Sequence, residues 1–285
     1  MTTVYLNGRF LAPDQALVPV SDRGFLFGDG VYEVIPVYGA RLFRLDEHLA
    51  RLAQSLAGIR LADPHTPGEW RRILEDLIER NGSGDRSVYL QVTRGPAPKR
   101  DHAFPAVVTP TVFASVSPIA PPPADLAERG VAAITREDIR WKYCHIKAIT
   151  LLGNVLLRQE AVEAGCAEAI LVRDGEATEG AASNLFLVRD DVLLTPPKGP
   201  FLLPGITRDL ILELARDHGI PAREAPVPAS WLACAQELWI TSSTREILPV
   251  TRLDGAPVGT GRPGPVWARM HALFQDFKAR QRAAG

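Results

Sequence analysis

"SPIAPPPADL", residues 117–126, sets four prolines in ten positions. Proline lacks a backbone N–H and fixes φ, so neither a helix interior nor a central strand runs through such a stretch. It reads as a linker, and the chain on each side is read separately. On the N-terminal side, Val4–Leu6 and Arg9–Leu11 are short strands around an Asn7-Gly8 hairpin signal. "GVYEVIPVYGARLFRL" gives two more strands turning at Gly39. Leu49, Leu52, Leu56 and Ile59 recur at helical spacing, and "EWRRILEDLIERNG" repeats the pattern with a stop at Gly82. "VYLQVTRG" and "TVFASVS" return to strand character.

Beyond the linker, "EDIRWKYCHIKAIT" (137–150) reads as a strand with Trp141, Tyr143, His145 and Lys147 on one face. A helix follows at about 149–165, then a strand at 168–173 and a hairpin in "SNLFLVRDDVLLT". A helix over about 207–219 ends at Gly219, "ELWITSS" is a strand, and an amphipathic helix begins near Pro265. Both halves mix strands and helices, so the fold class is α+β with two domains. The boundaries are 1–117, a Pro-rich linker at 118–123, and 124–285.

Of 285 residues, 46% are apolar and 23% charged, the composition of a globular domain. Lys+Arg 32 against Asp+Glu 33, with no like-charge block, argues against nucleic-acid and membrane-surface binding. The 3 cysteines show no CxxC spacing and fit reduced thiols in a cytoplasm. The opening residues carry no secretory pattern, and no apolar run is long enough to span a membrane. P-loop, HExxH, GxGxxG and GxSxG patterns are missing, and 6 scattered histidines have no metal-ligand spacing.

What remains is a set of separate candidates. Lys147 is a poor strand residue, and a desolvated lysine is a usable nucleophile or Schiff-base former. Its ordinary reading is a side chain that snorkels to water. Glu179, in "EATEGAASNLF", is a carboxylate beside small residues that let a flat ligand approach. "TEG" is otherwise a turn. In "LLPGITRDL", Gly205, Ile206 and Thr207 open a helix whose N–H groups suit an anion, although a plain threonine cap looks the same. "TSST" (241–244) adds hydroxyls, and Arg51 adds a charge-assisted donor. The loop "TRGPAPKRDHAF" brings Lys99, Arg100 and His102, able to bind a carboxylate or simply to be exposed. Tyr32 and Glu33 lie on opposite faces of a strand. A lysine, a carboxylate and several phosphate donors together point to pyridoxal 5'-phosphate (PLP).

Seven motifs in order, "SDRGFLFGDGVYEV", "EHLARL", "VTRG...RDH", "EDIRW...IK", "TEGAASN", "PGITRD" and "TSSTREI", resemble the fold type IV PLP-dependent aminotransferases. Within that family the resemblance is to the bacterial D-amino acid branch. It implies a small N-terminal α/β domain and a larger, β-barrel-like PLP-binding domain. It further implies that Lys147 holds PLP covalently and shuttles the α-proton, while Glu179 faces the ring nitrogen. Arg51, Ile206, Thr207, Ser242 and Ser243 match the phosphate cup, and Leu203 the residue packed on the ring. Tyr32, Arg100 and His102 match the carboxylate trap, the last two reaching the neighbouring subunit of a homodimer. The expected reaction is D-amino acid transamination with 2-oxo acids, ping-pong through pyridoxamine phosphate.

The chain departs from the pattern in two places. The loop before Arg100 is one residue longer, which lets Lys99 compete, and Ala181 and Ala182 stand where relatives often carry serine. The alternatives are an L-branched-chain or (R)-amine aminotransferase, 4-amino-4-deoxychorismate lyase, and a non-catalytic PLP binder.

Overall fold

The structure is a computed structural model that describes residues 2–120 and 125–283. Much of the proline linker, 121–123, lies outside the described residues. The chain divides into two compact units. One takes Met1–Ala120, Ile146–Thr150 and Gln281–Gly285, and the other Pro121–His145 and Leu151–Arg280. Lys147 falls in the first unit.

The first unit is built from β1 (Val4–Leu6), β2 (Arg9–Leu11), α1 (Arg23–Phe27), β3 (Gly30–Tyr38), β4 (Arg41–Leu42), α2 (Leu45–Gly58), α3 (Pro67–Asn81), β5 (Arg86–Thr93) and β6 (Thr111–Pro118). Its six strands form one antiparallel sheet in the order β2-β1-β6-β5-β3-β4. Asn7 and Gly8 at φ 48 and 87 supply the left-handed pair that a tight hairpin requires. Thr66 and Glu69 cap α3 reciprocally, and Pro67 opens its first turn. The apolar stripes of both helices, Leu45, Leu49, Leu52 and Leu56 with Trp70, Leu74, Leu77 and Ile78, share one core with Val31, Ile35, Val88, Leu90 and Val92 of the sheet.

The second unit holds α4 (Leu126–Arg129), β7 (Val131–Glu137), α5 (Leu152–Glu163), β8 (Glu168–Arg173), β9 (Glu176–Gly180), β10 (Asn184–Arg189), β11 (Val192–Thr195), α6 (Ile206–Asp217), β12 (Ala222–Glu224), β13 (Val227–Pro228), α7 (Ala229–Leu232), β14 (Glu237–Ser242), β15 (Glu246–Leu253), β16 (Ala256–Pro257) and α8 (Pro265–Ala283). The strands make a mixed sheet curled into a half-barrel, in the order β12-β11-β10-β14-β15-β7-β8-β9-β13, with β16 beside β15. The β7–β8 and β7–β15 pairs are parallel. Both units mix helix and sheet as the sequence predicts.

The strand expected over 137–150 does not form. β7 ends at Glu137 and is followed by irregular chain, with a single bridge between Ala148 and Val31. Burial alternates over 143–148, with Cys144, Ile146 and Ala148 in and His145 out, while 141–143 are all exposed. What is missing is a partner ladder. The Arg140 N–H goes to the Asp138 carboxylate at 3.1 Å, and the Cys144 N–H to the Pro200 carbonyl at 2.7 Å. A side chain and a loop take the bonds that a strand would give to a neighbour.

Among the described residues, no helix is long and apolar enough to cross a membrane, and no cluster of His, Cys, Asp and Glu suits a metal ion. Leu74 has no exposed surface, so Leu74→Ala leaves a cavity and is expected to destabilise the chain by about 2–5 kcal/mol. Urea titration measures this directly. A midpoint equal to that of the parent protein contradicts the described core.

Candidate active site

In the first unit, β3 sends Tyr32 to one face and Glu33 to the other. Glu33 is fully buried and meets two residues of α2. Arg51 Nε donates to Glu33 Oε1 at 2.8 Å and Nη2 to Oε2 at 2.7 Å, while His48 Nδ1 lies 2.7 Å from Oε2. Burial works against ionisation of Glu33. The Arg51 charge and the hydrogen bonds from Arg51 and His48 outweigh it and hold the carboxyl well below its usual range. Burial also pushes His48 below its ordinary value, so its imidazole is neutral and Nδ1 carries the proton given to Glu33.

Further along α2, the Ser55 hydroxyl accepts the Lys147 N–H at 3.1 Å. The Lys147 carbonyl accepts the Tyr32 N–H at 2.9 Å, and the Ile149 N–H reaches the Gly30 carbonyl at 3.1 Å. The segment is therefore pinned along the start of β3. Lys147 Nζ sits 4.1 Å from the centroid of the Tyr32 ring, a cation–π distance. The unit thus brings Tyr32 and Lys147 together.

Arg100 and His102 lie on the loop after β5. The guanidinium of Arg23 holds that loop by three carbonyls, those of Asp101 (2.6 Å), His102 (3.2 Å) and Ala103 (3.3 Å). Both side chains are exposed and rest against Phe27, whose centroid is 5.0 Å from Arg100 Cζ and 5.3 Å from that of His102. Lys99 is tied to Asp101 at 2.9 Å.

The second unit collects its candidates around Asn184. Glu179, on β9 and buried, accepts from Asn184 Nδ2 at 3.0 Å and from the Leu203 N–H at 3.1 Å through Oε2. Its Oε1 accepts from Arg140 Nη1 at 2.6 Å. Burial pushes the Glu179 carboxyl up to about 7 against the downward pull of Arg140 and of the Leu203 N–H. Asn184 Nδ2 also donates to the Leu203 carbonyl at 2.8 Å. Gly205, extended at φ −71 and ψ 134, precedes α6, and a Cβ there would stand 1.9 Å from Asn184 Oδ1. No side chain caps α6, whose first residues are Ile206 and the buried Thr207.

Across the ladder, Asn184 faces Thr241, and the "TSST" turn follows. Ser242 Oγ accepts the Arg245 N–H at 3.3 Å, and Thr241 Oγ1 is buried with no hydrogen-bond partner among the described residues. Arg245 ties this turn to Glu168 at 2.6 Å and to the Ala182 carbonyl at 3.4 Å.

These residues fit the chemistry of PLP. A buried carboxylate suits a basic ring nitrogen. An uncapped helix N-terminus with a buried threonine, next to an unpartnered hydroxyl and two serines, suits a phosphate. Glycine at 205 is what lets the Asn184 amide pack directly against the start of α6.

Sequence reasoning missed His48, Asp138, Arg140 and Asn184. For His48 a signal exists, since positions 48, 51 and 55 share the apolar face of 45, 49, 52 and 56. Polar residues inside an apolar stripe call for a buried partner.

Residues 30–253 match the family described as amino-transferase class IV. The D-alanine aminotransferase of Bacillus licheniformis is 42% identical over 273 residues, 96% of each chain. That of Staphylococcus epidermidis is 39% identical over 277 residues, covering 97% of this chain and 98% of the relative. Among solved structures, the Escherichia coli branched-chain amino acid aminotransferase superposes with a TM-score of 0.91 at 30% identity, covering 96% of this chain and 94% of the other. A T.th. branched-chain amino acid aminotransferase with pyridoxamine 5'-phosphate gives 0.92 at 26% identity, covering 98% and 95%.

The Glu33 cluster predicts an acid limb in stability. Unfolded His48 takes a proton near pH 6.5 and unfolded Glu33 near 4.5, while the folded chain resists both. Stability is therefore present above these values and is lost as pH falls through each in turn. Glu33→Gln removes the limb below 4.5 and takes the carboxylate away from Arg51 and His48, costing about 3–5 kcal/mol at neutral pH. Melting temperature against pH for both proteins reads this, and parallel profiles contradict it.

Proposed function

The chain belongs to the class IV aminotransferases, and on that premise we propose a D-amino acid aminotransferase dependent on PLP. It moves the amino group of D-alanine or D-glutamate to a 2-oxo acid such as 2-oxoglutarate or pyruvate. The observation that carries this reading is end-to-end similarity, at 42% and 39% identity, to D-alanine aminotransferases, in a chain that also has the Arg100-x-His102 pair. PLP, when bound, supplies a conjugated ring that takes up the negative charge left when a substrate α-proton is removed.

The chain's own residues supply the rest. Lys147 would hold the cofactor through its ε-amine and, when free, would take and return the proton at the substrate α-carbon. Contact with the Tyr32 ring and the pinned backbone of 147–149 limit where that amine travels. Glu179 holds a proton at the ring nitrogen. Leu203 would pack against the ring. Arg51, the N–H of Ile206, the Thr207 hydroxyl, Ser242 and Ser243 take the phosphate. Tyr32, Arg100 and His102 bind the substrate carboxylate and so select the D-configuration. Two half-reactions through one site give ping-pong kinetics.

Arg100 and His102 are exposed on a loop whose backbone is already fixed. That suits residues offered to a neighbouring subunit, and a homodimer is part of the proposal. So is a cytoplasmic location, with Cys144, Cys166 and Cys234 as free thiols.

The test is a half-reaction on PLP-loaded protein with D-alanine, L-leucine and (R)-1-phenylethylamine added separately. Conversion of the cofactor absorbance to that of pyridoxamine phosphate is expected with D-alanine far ahead of the others. Conversion chiefly with L-leucine moves the chain to the branched-chain branch, and conversion chiefly with the amine to the (R)-amine branch. No conversion at all favours the lyase. Arg100→Ala is expected to weaken D-substrates by about 2–5 kcal/mol while PLP affinity holds. Equal loss of both overturns the role given to Arg100.

A further inference from the structure

Three buried or nearly buried charges of the second unit have no part in the reaction as described: Asp138, Arg140 and Arg173. With Glu179 they form a chain of alternating sign. Arg173 Nη2 lies 3.2 Å from Asp138 Oδ2. Arg140 grips Asp138 with two prongs, Nε to Oδ1 and Nη2 to Oδ2, both at 2.9 Å. That grip leaves Nη1 aimed at Glu179 Oε1 at 2.6 Å. Further contacts lock the arrangement. The Thr178 hydroxyl donates to Asp138 at 3.2 Å, Arg173 Nη2 to the Arg140 carbonyl at 2.8 Å, and Arg140 Nη2 to the Phe201 carbonyl at 3.2 Å.

We propose that Arg140 is a positioning residue that keeps Glu179 anionic toward the cofactor's ring nitrogen, and that Asp138 is the counter-charge that orients Arg140 and limits its pull. The inference rests on the reading that Glu179 faces that nitrogen. A guanidinium engaging Glu179 with both prongs would leave a carboxylate too weakly basic to support a protonated ring. With no guanidinium, a buried carboxyl takes the proton itself and the ring nitrogen goes without. Sharing one arginine between two carboxylates sets the intermediate case. A carboxylate accepts roughly four hydrogen bonds. Glu179 receives three, from Arg140, Asn184 and the Leu203 N–H, which leaves a place for the ring N–H.

The other groups around Glu179 in this unit do not compete. Asn184 on β10 and Thr178 on its own strand are uncharged. Burial raises the Cys144 thiol to about 11, so it stays neutral across the working range. Arg140 is held firmly charged, burial notwithstanding, by its bonds to Asp138 and its attraction to Glu179. For Glu179 itself the Arg140 charge acts downward and the Asp138 charge upward.

Opposite signs give the test. In the full-length chain without cofactor, labelled with ¹³C at glutamate carboxyls, the Glu179 signal is assigned by its loss in Glu179→Gln and followed against pH. Arg140→Gln is expected to raise its midpoint by about one pH unit or more, and Asp138→Asn to lower it by a comparable amount. Arg140→Lys, which keeps the charge, is expected to stay near the parent value. After loading with ring-¹⁵N PLP, Arg140→Gln is expected to shift the nitrogen signal toward its unprotonated position. Damage to the fold would move both midpoints the same way, so that outcome, or no movement in either, overturns the inference. If Arg140→Gln does not fold, Asp138→Asn decides alone, since a rise or no change refutes it. A ring-nitrogen signal unaffected by Glu179→Gln would instead remove the role given to Glu179, independently of the titration.

Discussion

Arg140 Nη1 meets Glu179 Oε1 at 2.6 Å with both side chains almost wholly out of water, and the role proposed for Glu179 turns on that contact. An ionised carboxylate taken out of water costs several kcal/mol unless a charge and hydrogen bonds answer it. The first unit meets the same constraint at Glu33, answered by Arg51 and His48. The two solutions differ in a useful way. Glu33 is gripped by two nitrogens of Arg51 and locked as an anion. Glu179 shares its arginine with Asp138 and has its carboxyl pushed up to about 7, within reach of proton exchange. One carboxylate is locked in place, and the other has the environment that the role proposed for it requires.

Backbone elements carry these charges to their places. In the first unit, α2 sets His48, Arg51 and Ser55 on one buried face, so a single helix answers Glu33 and also pins the Lys147 backbone. In the second, β10 is the hub. Asn184 opens it, bonds Glu179 and Leu203, sits against Gly205 before α6, and faces Thr241 ahead of the serine turn. Replacing so connected a residue would loosen carboxylate and anion donors together.

Much of this was legible in the sequence wherever local pattern decides structure. The Asn7-Gly8 hairpin, the apolar stripes of α2 and α3, and the strands at 168–173 and 237–242 follow from turn chemistry and periodicity. The stretch 137–150 misled because burial alternates over 143–148 without a partner strand. The sequence expectations do not include β7, β9 and β15. β7 pairs with β8 and β15 across long stretches of chain. By contrast, β9 follows β8 through the Asp174-Gly175 turn and β15 follows β14, local hairpins for which a turn signal is present in the sequence. Lys147, Glu179, Thr207 and the 241–244 hydroxyls are visible in the sequence as candidates by residue type, and the family resemblance is what assigns them roles. Asp138, Arg140 and Asn184 are not, because what defines them is contact with side chains and loop carbonyls brought in from other elements of the fold.

The account stands on Lys147 as the residue that holds the cofactor. The chain has only five lysines, Lys99, Lys142, Lys147, Lys198 and Lys278, so the assignment can be read without ambiguity. PLP-loaded protein is reduced with borohydride, digested, and mapped by mass spectrometry for the pyridoxyl mass. The account predicts that mass on Lys147 at close to full occupancy and on no other lysine. Pyridoxyl on Lys142 or Lys99 with Lys147 unmodified would contradict it.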